Sequence, residues 1–330
     1  MDTLGIGNGI IDEFIQAPYY PEFAVNNTYG IKAVNDTIYN FMKLAYSITN
    51  GCADYVTYCA QSLRNSLADY ETCSQATTIC RGFVEEPYYD YSGRGVYDIR
   101  HPYKDPTPPT YFTKFLNLPS TQEALGVNIN YTSDSSTAIY YGFAFTGDFV
   151  YPTFKTDIEM LLNKGVRVAL YYGDADYICN WFGGEAVSLA MNYTHTAEFN
   201  AAGYTPFVVD GTEYGEVRQY GNFSFLRIYE AGHEVPFYQP LASLEMFRRV
   251  LANQVLADGS APSTGNYSSP GIAHATHTEP FVALPSTSSS IASASATAAV
   301  KVKAIPKPRN AAEVAKARAL RSGIIGKKGR

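Results

Sequence analysis

Several features that would assign a chain to a familiar class are missing from these 330 residues. No apolar run approaches the roughly 18 residues of a membrane-spanning helix, so we expect no membrane span. The first residues, Met1–Leu4, lack the basic region and the long apolar run of a signal peptide. The chain also contains no Gly-x-Ser-x-Gly sequence, the turn that carries the nucleophile in many serine hydrolases. A nucleophile of that kind is therefore absent from the chain as written.

Basic residues are scarce through most of the chain and concentrated at its end. Residues 301–330 hold ten basic residues and one acidic residue, Glu313, whereas the whole chain carries −6, so residues 1–300 carry −15. An acidic body argues against a nucleic-acid-binding core. From about residue 258, Ser, Thr, Ala, Pro and Gly predominate, which predicts a disordered tail over 258–330. We expect its basic end to be solvated; a contact with nucleic acid or membrane is the alternative.

Closely spaced cysteine pairs, which structural zinc sites use, are also missing. Cys52, Cys59, Cys73 and Cys80 form two pairs with six residues inside each, and Cys179 stands alone. Zinc sites usually separate paired cysteines by two to four residues, so two disulfides are the preferred interpretation. Four cysteines allow three pairings, and the spacing does not choose among them.

Six Asn-x-Ser/Thr sequons accompany the cysteine quartet. Together they favour the secretory pathway, because glycans and disulfides are added there. A signal peptide missing from a protein that otherwise looks secreted leads us to expect that an N-terminal part is lost. The sequons begin at Asn26, Asn35, Asn130, Asn192, Asn222 and Asn266.

The pattern of apolar residues predicts strands that alternate with helices, which indicates an α/β sheet. Val166–Tyr172 is a near-continuous apolar run, typical of a strand buried on both faces. Phe223–Tyr229 is a second candidate, and residues 3–11 are typical of a strand end that enters a glycine-rich loop. Helices are predicted at 31–47, at 52–68, from 154 to Gly165 and from Pro240.

Two further segments have local signals, and the first and last predicted helices each have a predicted apolar face. Residues 84–110 are rich in Tyr, Pro and Gly and should be irregular, and Ser120–Glu123 is a capping box that should start a short helix. The face of the first helix is predicted to be Ile31, Val34, Ile38, Phe41 and Leu44. That of the last helix is predicted to be Leu241, Leu244, Phe247 and Val250 or Leu251.

Polar residues follow two of the predicted strands. Asp174 and Asp176 come after the first, and His233 comes after the second, with one helix and one strand expected between the two segments. Catalytic groups of α/β sheets collect where strands reach their carboxyl ends. A histidine can accept and return a proton near neutral pH, and a carboxylate fixes its tautomer and stabilises the imidazolium. In α/β-hydrolases the order is Ser, Asp, His, which the last two members fit here.

A calcium loop is the alternative for the first of these segments. Asp174 to Glu185 spans twelve residues, as such a loop does. Ile178 and Cys179, however, occupy the positions that need an oxygen ligand and a glycine. We therefore reject calcium.

Two motifs resemble those of one family. Asp176–Trp181 and Gly232–Phe237 closely resemble the serine carboxypeptidases of peptidase family S10, and the fungal carboxypeptidase S1-like branch is the nearest match. Ile6–Asp12 resembles the segment after that family's nucleophile region, and Tyr97–Arg100 matches a recurring segment. The resemblance covers roughly residues 1–255.

The resemblance implies the C-terminal portion of an α/β-hydrolase sheet with a helical, disulfide-bonded insertion. The implied parts are the end of the central sheet at 1–30, a helical cap at 31–120, the rest of the hydrolase domain at 121–257 and the tail at 258–330. The nested pairing Cys52–Cys80 with Cys59–Cys73 is also implied. Each bridge is expected to add roughly 2–4 kcal/mol.

The implied activity is release of single residues from the C-terminus of a peptide, through an acyl-enzyme and without a metal or cofactor. Asp176 takes the carboxylate role, for which Asp174 competes, and His233 is the base. Cys179 matches a free thiol lining the substrate cleft. Glu234 matches a residue that can touch the leaving amino acid, where a carboxylate is expected to favour basic or polar residues. The location would be extracellular or vacuolar, with a peptide as the partner.

The missing serine is the main departure from the family. Without a nucleophile we expect the chain as written to be inactive, and poorly stable because Val166–Tyr172 would lose sheet neighbours. Two other functions stay open. One is an acyltransferase on the same scaffold, and the other is a non-catalytic binding or decoy protein, which would have to fold alone.

Overall fold

The computed structural model describes residues 1–64, 70–132, 137–151 and 154–285. Its centre is a five-stranded mixed sheet in the order β1-β2-β5-β4-β3. β1, β2 and β5 run parallel, and β3 and β4 are antiparallel to their neighbours. The strands are β1 Thr3–Gly7, β2 Arg167–Gly173, β3 Tyr204–Val209, β4 Thr212–Tyr220 and β5 Phe223–Ile228.

Helices surround this sheet and form the insertion between β1 and β2. A π-helical segment spans Cys80–Glu85, and a 3-10 turn spans Asp148–Val150. The α-helices are α1 Glu13–Gln16, α2 Tyr19–Val25, α3 Asp36–Ser47, α4 Cys52–Arg64, α5 Tyr70–Ile79, α6 Pro87–Tyr91, α7 Tyr111–Leu116, α8 Pro119–Leu125, α9 Thr137–Thr146, α10 Phe154–Asn163, α11 Trp181–Leu189, α12 Thr196–Ala201, α13 Val235–Tyr238 and α14 Pro240–Leu251.

The two central strands confirm the sequence pattern. β5 is buried along its whole length and β2 nearly so, as expected for strands covered on both faces. α14 packs against the sheet through the side that contains Ala242. The resulting core includes Phe207, Val217, Leu226, Ile228, Ala242 and Met246. The carboxyl ends of β2 and β5 are thereby fixed side by side.

The connection from β2 to β5 is longer than predicted. Two helices, α11 and α12, and the hairpin β3–β4 precede β5, whereas we expected a single helix before that strand. The hairpin turns at Asp210 and Gly211, both with positive φ, as a two-residue turn of the primed type requires. The Asp-Gly pair was therefore a usable signal for this hairpin.

The helical insertion has the nested disulfides that the resemblance implies. Cys52 is bonded to Cys80 and Cys59 to Cys73, which holds α4 against α5 and the π-helical segment. α3 begins after Asn35, whose side chain accepts a hydrogen bond from the Ile38 amide at 3.0 Å. The helix predicted at 52–68 ends at Arg64, and residues 65–68 lie outside the described part of the chain.

The predicted helix faces are confirmed only in part. The predicted residues that are buried are Ile31, Val34, Ile38 and Val250, and those that are exposed are Leu44, Leu241, Leu244, Phe247 and Leu251. On α14 the buried side contains Ala242, Met246 and Val250, whereas Leu244 is 66% exposed. On α3 the buried side contains Ile38, Met42 and Ala45, and Leu44 is exposed. Each helix has apolar residues on two of its sides, and only one of these sides is buried. In α14 the side with the small residue Ala242 faces the sheet, and Leu241, Leu244, Phe247 and Leu251 are exposed.

Three local predictions also need correction. α8 begins at Pro119 with Leu118 as N-cap, so Ser120 lies inside the helix and forms no capping box. The region 84–110, predicted to be irregular, includes α6 and the end of the π-helical segment.

The third correction concerns the tail predicted to be disordered over 258–330, of which residues 286–330 lie outside the described part of the chain. Residues 258–285 contain no helix or strand but are not disordered, because their backbone bonds to the domain. Gly203 N donates to Ser269 O at 3.0 Å, and Tyr204 N donates to Ile272 O at 2.7 Å. The Arg227 guanidinium donates to the carbonyl of His277 at 2.8 Å.

Among the described residues, no helix has both the length and the apolar character to cross a membrane. The subdivision at residues 30, 120 and 257 stays a prediction.

Candidate active site

The side chains of Asp176 and His233 meet at the carboxyl edge of the sheet. β2 and β5 are parallel neighbours, with Gly173 opposite Ile228, so the loops that follow them start at the same level. The Nδ1 atom of His233 lies 2.8 Å from Oδ2 of Asp176. A carboxylate and an imidazole are thus joined directly across two adjacent loops.

Close backbone contact brings these loops together. The Ala175 amide donates to the carbonyl of Ala231 at 2.9 Å. A Cβ atom on Gly173 would lie 2.4 Å from the carbonyl oxygens of Ala231 and Gly232. Only glycine at position 173 allows the two loops to approach this closely.

A third segment, Val96–Arg100, clamps both loops. Ile99 N donates to Ala175 O at 2.9 Å, and His233 N donates to Tyr97 O at 2.8 Å. The ring of Tyr97 also contacts the imidazole, with 4.9 Å between ring centroids. Gly232 is required here because a Cβ would lie 2.6 Å from Tyr97 O.

The sequence alone did not assign roles to Tyr97 or Asn8. The Asn8 side-chain amide donates to the carbonyl of His233, and Asn8 itself has a positive φ after β1. Both residues lie in segments that resemble family motifs. That resemblance was the available signal for them, since neither residue type suggests a role on its own.

Burial and pairing set the protonation of the two central groups. Asp176 is completely buried, which raises the pKa of its carboxyl, and the hydrogen bond from His233 opposes the rise. Burial lowers the pKa of the His233 imidazole, but the hydrogen bond and charge of Asp176 outweigh this effect and raise it.

With Nδ1 bound to the carboxylate, the other ring nitrogen, Nε2, has no hydrogen-bond partner among the described residues. A base needs one ring nitrogen oriented and the other available. The geometry meets that requirement.

Asp174 interacts with Tyr29 and Arg227 and not with His233. Its carboxylate accepts a hydrogen bond from Tyr29 at 2.8 Å and lies 4.0 Å from the Arg227 guanidinium. Burial raises the pKa of Asp174 to about 7, and Arg227 and Tyr29 limit the rise. His233 pairs with Asp176 and not with Asp174, so the geometry favours Asp176 for the orienting role.

Cys179 and Glu234 flank this pair. Cys179 is a free, buried thiol, and its Sγ lies within 4.8 Å of the ligand atoms of Asp176 and His233. Burial raises the pKa of this thiol. Glu234 is exposed next to the imidazole, and its charge also raises the pKa of His233.

The six sequon asparagines differ in exposure. Asn222 is half-buried, and its Nδ2 donates to the carbonyls of Leu162 and Val166 at 3.2 and 2.8 Å. The exposed ones are Asn26, Asn35, Asn130, Asn192 and Asn266.

A mixed sheet whose neighbouring parallel strands bring a buried carboxylate to a histidine belongs to the α/β-hydrolase type of fold. The family model for serine carboxypeptidases, Peptidase S10, matches residues 1–253, and the chain belongs to this family. Carboxypeptidase S1 homolog A of Arthroderma otae is 43% identical over 290 residues, which cover 84% of this chain and 44% of that relative. Carboxypeptidase S1 of Penicillium janthinellum is 35% identical over 77% of this chain and 58% of its own length. The chain therefore spans about half the length of these relatives.

A solved structure has the same fold. Kex1(delta)p, a prohormone-processing carboxypeptidase from Saccharomyces cerevisiae, matches with a TM-score of 0.56 and 20% identity. The match covers 77% of this chain and 55% of the other. It supports an α/β-hydrolase-like fold with a helical insertion.

Proposed function

We propose that this chain supplies the carboxylate and the base of a serine-type carboxypeptidase that releases C-terminal amino acids from peptides. The observation that carries the proposal is the 2.8 Å contact between Asp176 and His233, with Nε2 of the histidine left unpaired among the described residues. The names of the relatives, all carboxypeptidases, support this substrate class.

In the proposed reaction, Nε2 of His233 accepts the proton of a serine hydroxyl as its oxygen attacks the peptide carbonyl. Asp176 holds Nδ1–H and stabilises the imidazolium that forms. The imidazolium then returns the proton to the leaving amine, which leaves an acyl-enzyme. Water, deprotonated by the same nitrogen, releases the shortened peptide.

The serine for this reaction has to come from outside these residues, because the 330-residue sequence contains no Gly-x-Ser-x-Gly. Loss of a triad member lowers the rate by on the order of 10⁴–10⁶. The chain alone is therefore expected to be inactive.

We assign two further residues to substrate contact. Glu234 is exposed beside the imidazole, where the leaving amino acid departs, and its carboxylate suits a basic side chain. We assign Cys179 to the lining of the substrate cleft, and its proximity to Asp176 and His233 supports this assignment.

The proposed location is extracellular or vacuolar. Two disulfides support an oxidising compartment, and five exposed sequons are compatible with glycosylation.

The test is a chimera in which the N-terminal half of Carboxypeptidase S1 homolog A precedes this chain. Incubation with a set of peptides, followed by mass spectrometry, measures stepwise loss of C-terminal residues. Carboxypeptidase activity predicts single-residue ladders that disappear in His233→Ala. Acyl transfer to an added alcohol or amine in place of hydrolysis would indicate the acyltransferase alternative. A folded chimera with neither activity would contradict the proposal.

A further inference from the structure

Residues 272–285, which we call the strap, follow α14 in the chain and bond back to the domain. The strap lies beyond residue 253, where the match to the family model ends. Three arginine side chains, each at most 7% exposed, donate hydrogen bonds to its backbone carbonyl groups. The pairs are Arg218 with Ala273, Arg227 with His277 and Arg94 with Val282. Buried guanidinium groups therefore attach the strap at three points.

Arg94 connects the strap to the loop that carries Asp176. Its guanidinium donates through Nη2 to the carbonyl of Val282 at 3.0 Å and through Nη1 to the carbonyl of Ile99 at 2.8 Å. The Ile99 amide in turn donates to the carbonyl of Ala175 at 2.9 Å. These hydrogen bonds link the strap to the residue directly before Asp176.

Arg227 makes a second, separate connection to the same loop. Its Nη2 donates to the carbonyl of His277 at 2.8 Å and to the hydroxyl of Thr28 at 2.9 Å. That hydroxyl donates to the carbonyl of Asp174 at 3.3 Å. The amide of Glu279, in the strap, donates to the carbonyl of Thr28 at 2.8 Å. Two hydrogen-bonded connections from the strap therefore end on consecutive carbonyl groups, those of residues 174 and 175.

Arg94 depends on the strap for one of the two hydrogen bonds of its side chain. It is 7% exposed, and no carboxylate pairs with it in the described part of the chain. Burial lowers the pKa of its guanidinium. Two carbonyl groups and the ring of Phe281, 5.8 Å away, stabilise this cation. A buried charge that loses such partners moves toward water, so loss of the strap would draw the guanidinium away from Ile99.

We infer that the strap positions the catalytic pair and that Arg94 is the positioning residue through which it acts. The strap and Arg94 fix the backbone of residues 174 and 175, and thereby the direction in which the Asp176 carboxylate meets His233. A misplacement of about 1 Å at such a pair can lower the rate on the order of 10²-fold. The inference rests on the proposed function, because it assigns the strap to the same pair.

Two truncations of the chimera test the strap. One ends at Gly271 and lacks the strap, and the matched control ends at Pro285 and keeps it. We expect the shorter protein to lose about tenfold or more in kcat with less than about a twofold change in KM, because the pair is displaced. A synthetic peptide of residues 272–285 should restore part of the lost rate. The control should be as active as the full chimera.

Substitutions at Arg94 test the positioning residue with the strap present. Arg94→Met removes both hydrogen bonds of the side chain and should lower kcat about tenfold or more. Arg94→Lys keeps the charge but lacks the planar fork that reaches two carbonyl groups at once, so its kcat should lie between the two. Lys164→Met is the matched control, because it removes an exposed cation, and it should leave kcat unchanged. Circular dichroism of each variant checks that it is folded.

A measurement on the 330-residue chain separates this inference from the peptidase proposal. The Nδ1 proton of His233, shared with Asp176, gives a downfield NMR resonance that is assigned by its absence in His233→Ala. We expect this resonance to broaden or disappear in Arg94→Met and in the chain that ends at Gly271. The pKa of His233 should also fall, because Asp176 then supports the imidazolium less well.

Arg94→Lys, the mildest change, is measured where either of these variants fails to fold. An unchanged resonance and pKa of His233 in the folded variants would overturn the inference, as would an equal loss of kcat in the truncation at Pro285. The expected NMR changes together with a chimera that is inactive even when unmodified would contradict the peptidase proposal alone.

Discussion

The Cα atom of Gly173 packs against the carbonyl oxygen of Gly232 so closely that an added Cβ would lie 2.4 Å from that oxygen. This contact joins the end of β2 to the loop after β5, and thus Asp176 to His233. The nearest atoms are backbone, which cannot rotate away as a flexible side chain can. A side chain at position 173 would have to separate the two loops.

We predict that Gly173→Ala destabilises the chain by about 1–3 kcal/mol, because overpacking at a rigid contact forces the backbone to shift. Urea unfolding followed by circular dichroism measures the change. Gly5→Ala is the matched control, since Gly5 is also in a strand but a Cβ there meets nothing within 4 Å. Equal stability of the two variants would show that the loops are not locked by this contact.

Acid should stabilise the chain. Burial raises the pKa of Asp174 to about 7, against about 3.9 in an unfolded chain. A raised carboxyl pKa contributes stability that is complete below the unfolded value and is lost as pH rises through the folded value. The raised pKa of His233 also makes the free energy of unfolding fall as pH rises. Its stabilising contribution is complete below about pH 6.5 and is lost as pH rises through the folded pKa.

The free energy of unfolding should therefore fall as pH rises from about 4 to about 7. Asp174→Asn should flatten that dependence, by at most roughly 4 kcal/mol across the interval. Denaturant midpoints at several pH values measure both effects. A stability that rises with pH in the unmodified chain would contradict the burial of a neutralisable carboxyl.

Glu234 should set the preference for the leaving amino acid in the chimera. With Glu234→Met we expect the ratio of kcat/KM for peptides ending in Lys to those ending in Leu to fall about tenfold, because the exposed carboxylate is lost. A panel of peptides that differ in the last residue measures the ratio. An unchanged profile would remove Glu234 from the substrate site.

Glycans should be found on exposed sequons but not on Asn222. The nitrogen that glycosylation modifies, Nδ2, donates to the Leu162 and Val166 carbonyls, so a glycan there would replace one of its two hydrogens and break at least one of these bonds. Mass spectrometry of the protein secreted from yeast, with deamidation after glycosidase treatment, locates the modified residues. Asn192 is the matched comparison because it is exposed. A folded protein with a glycan on Asn222 would contradict this placement.

The positions of β1, β2 and β5 and the central pair could be predicted because their signals are local, whereas β3 and β4 were not predicted. The run Val166–Tyr172 is apolar enough to require burial on both faces, and polar residues that follow such strands must lie at the sheet edge. The order Asp176 before His233 was then enough to suggest the pair. Its direct contact depends on β2 and β5 being neighbours, which the sequence did not specify.

Other features depended on tertiary packing. The buried side of α14 follows from Ala242, whose small size lets the helix approach the sheet, and not from the larger residue Leu244. The segment 258–285 has a composition typical of disorder, yet Arg218 and Arg227 donate hydrogen bonds to its carbonyls. Such hydrogen bonds leave no periodic pattern in the sequence. The contact of Tyr97 with His233 joins residues far apart in the chain, and only folding brings them together.

The most direct test of the central claim compares Asp176→Asn with Asp174→Asn in the chimera at pH 5. Asparagine at position 176 cannot hold the imidazole in the required tautomer, so kcat should fall on the order of 10⁴-fold. Asp174 is largely protonated at this pH, because burial raises its pKa to about 7, and asparagine should replace it with less than about a threefold change in kcat. A normal rate in the Asp176→Asn variant, or a comparable loss in the Asp174→Asn variant, would contradict the assignment of Asp176 and His233 as the catalytic pair.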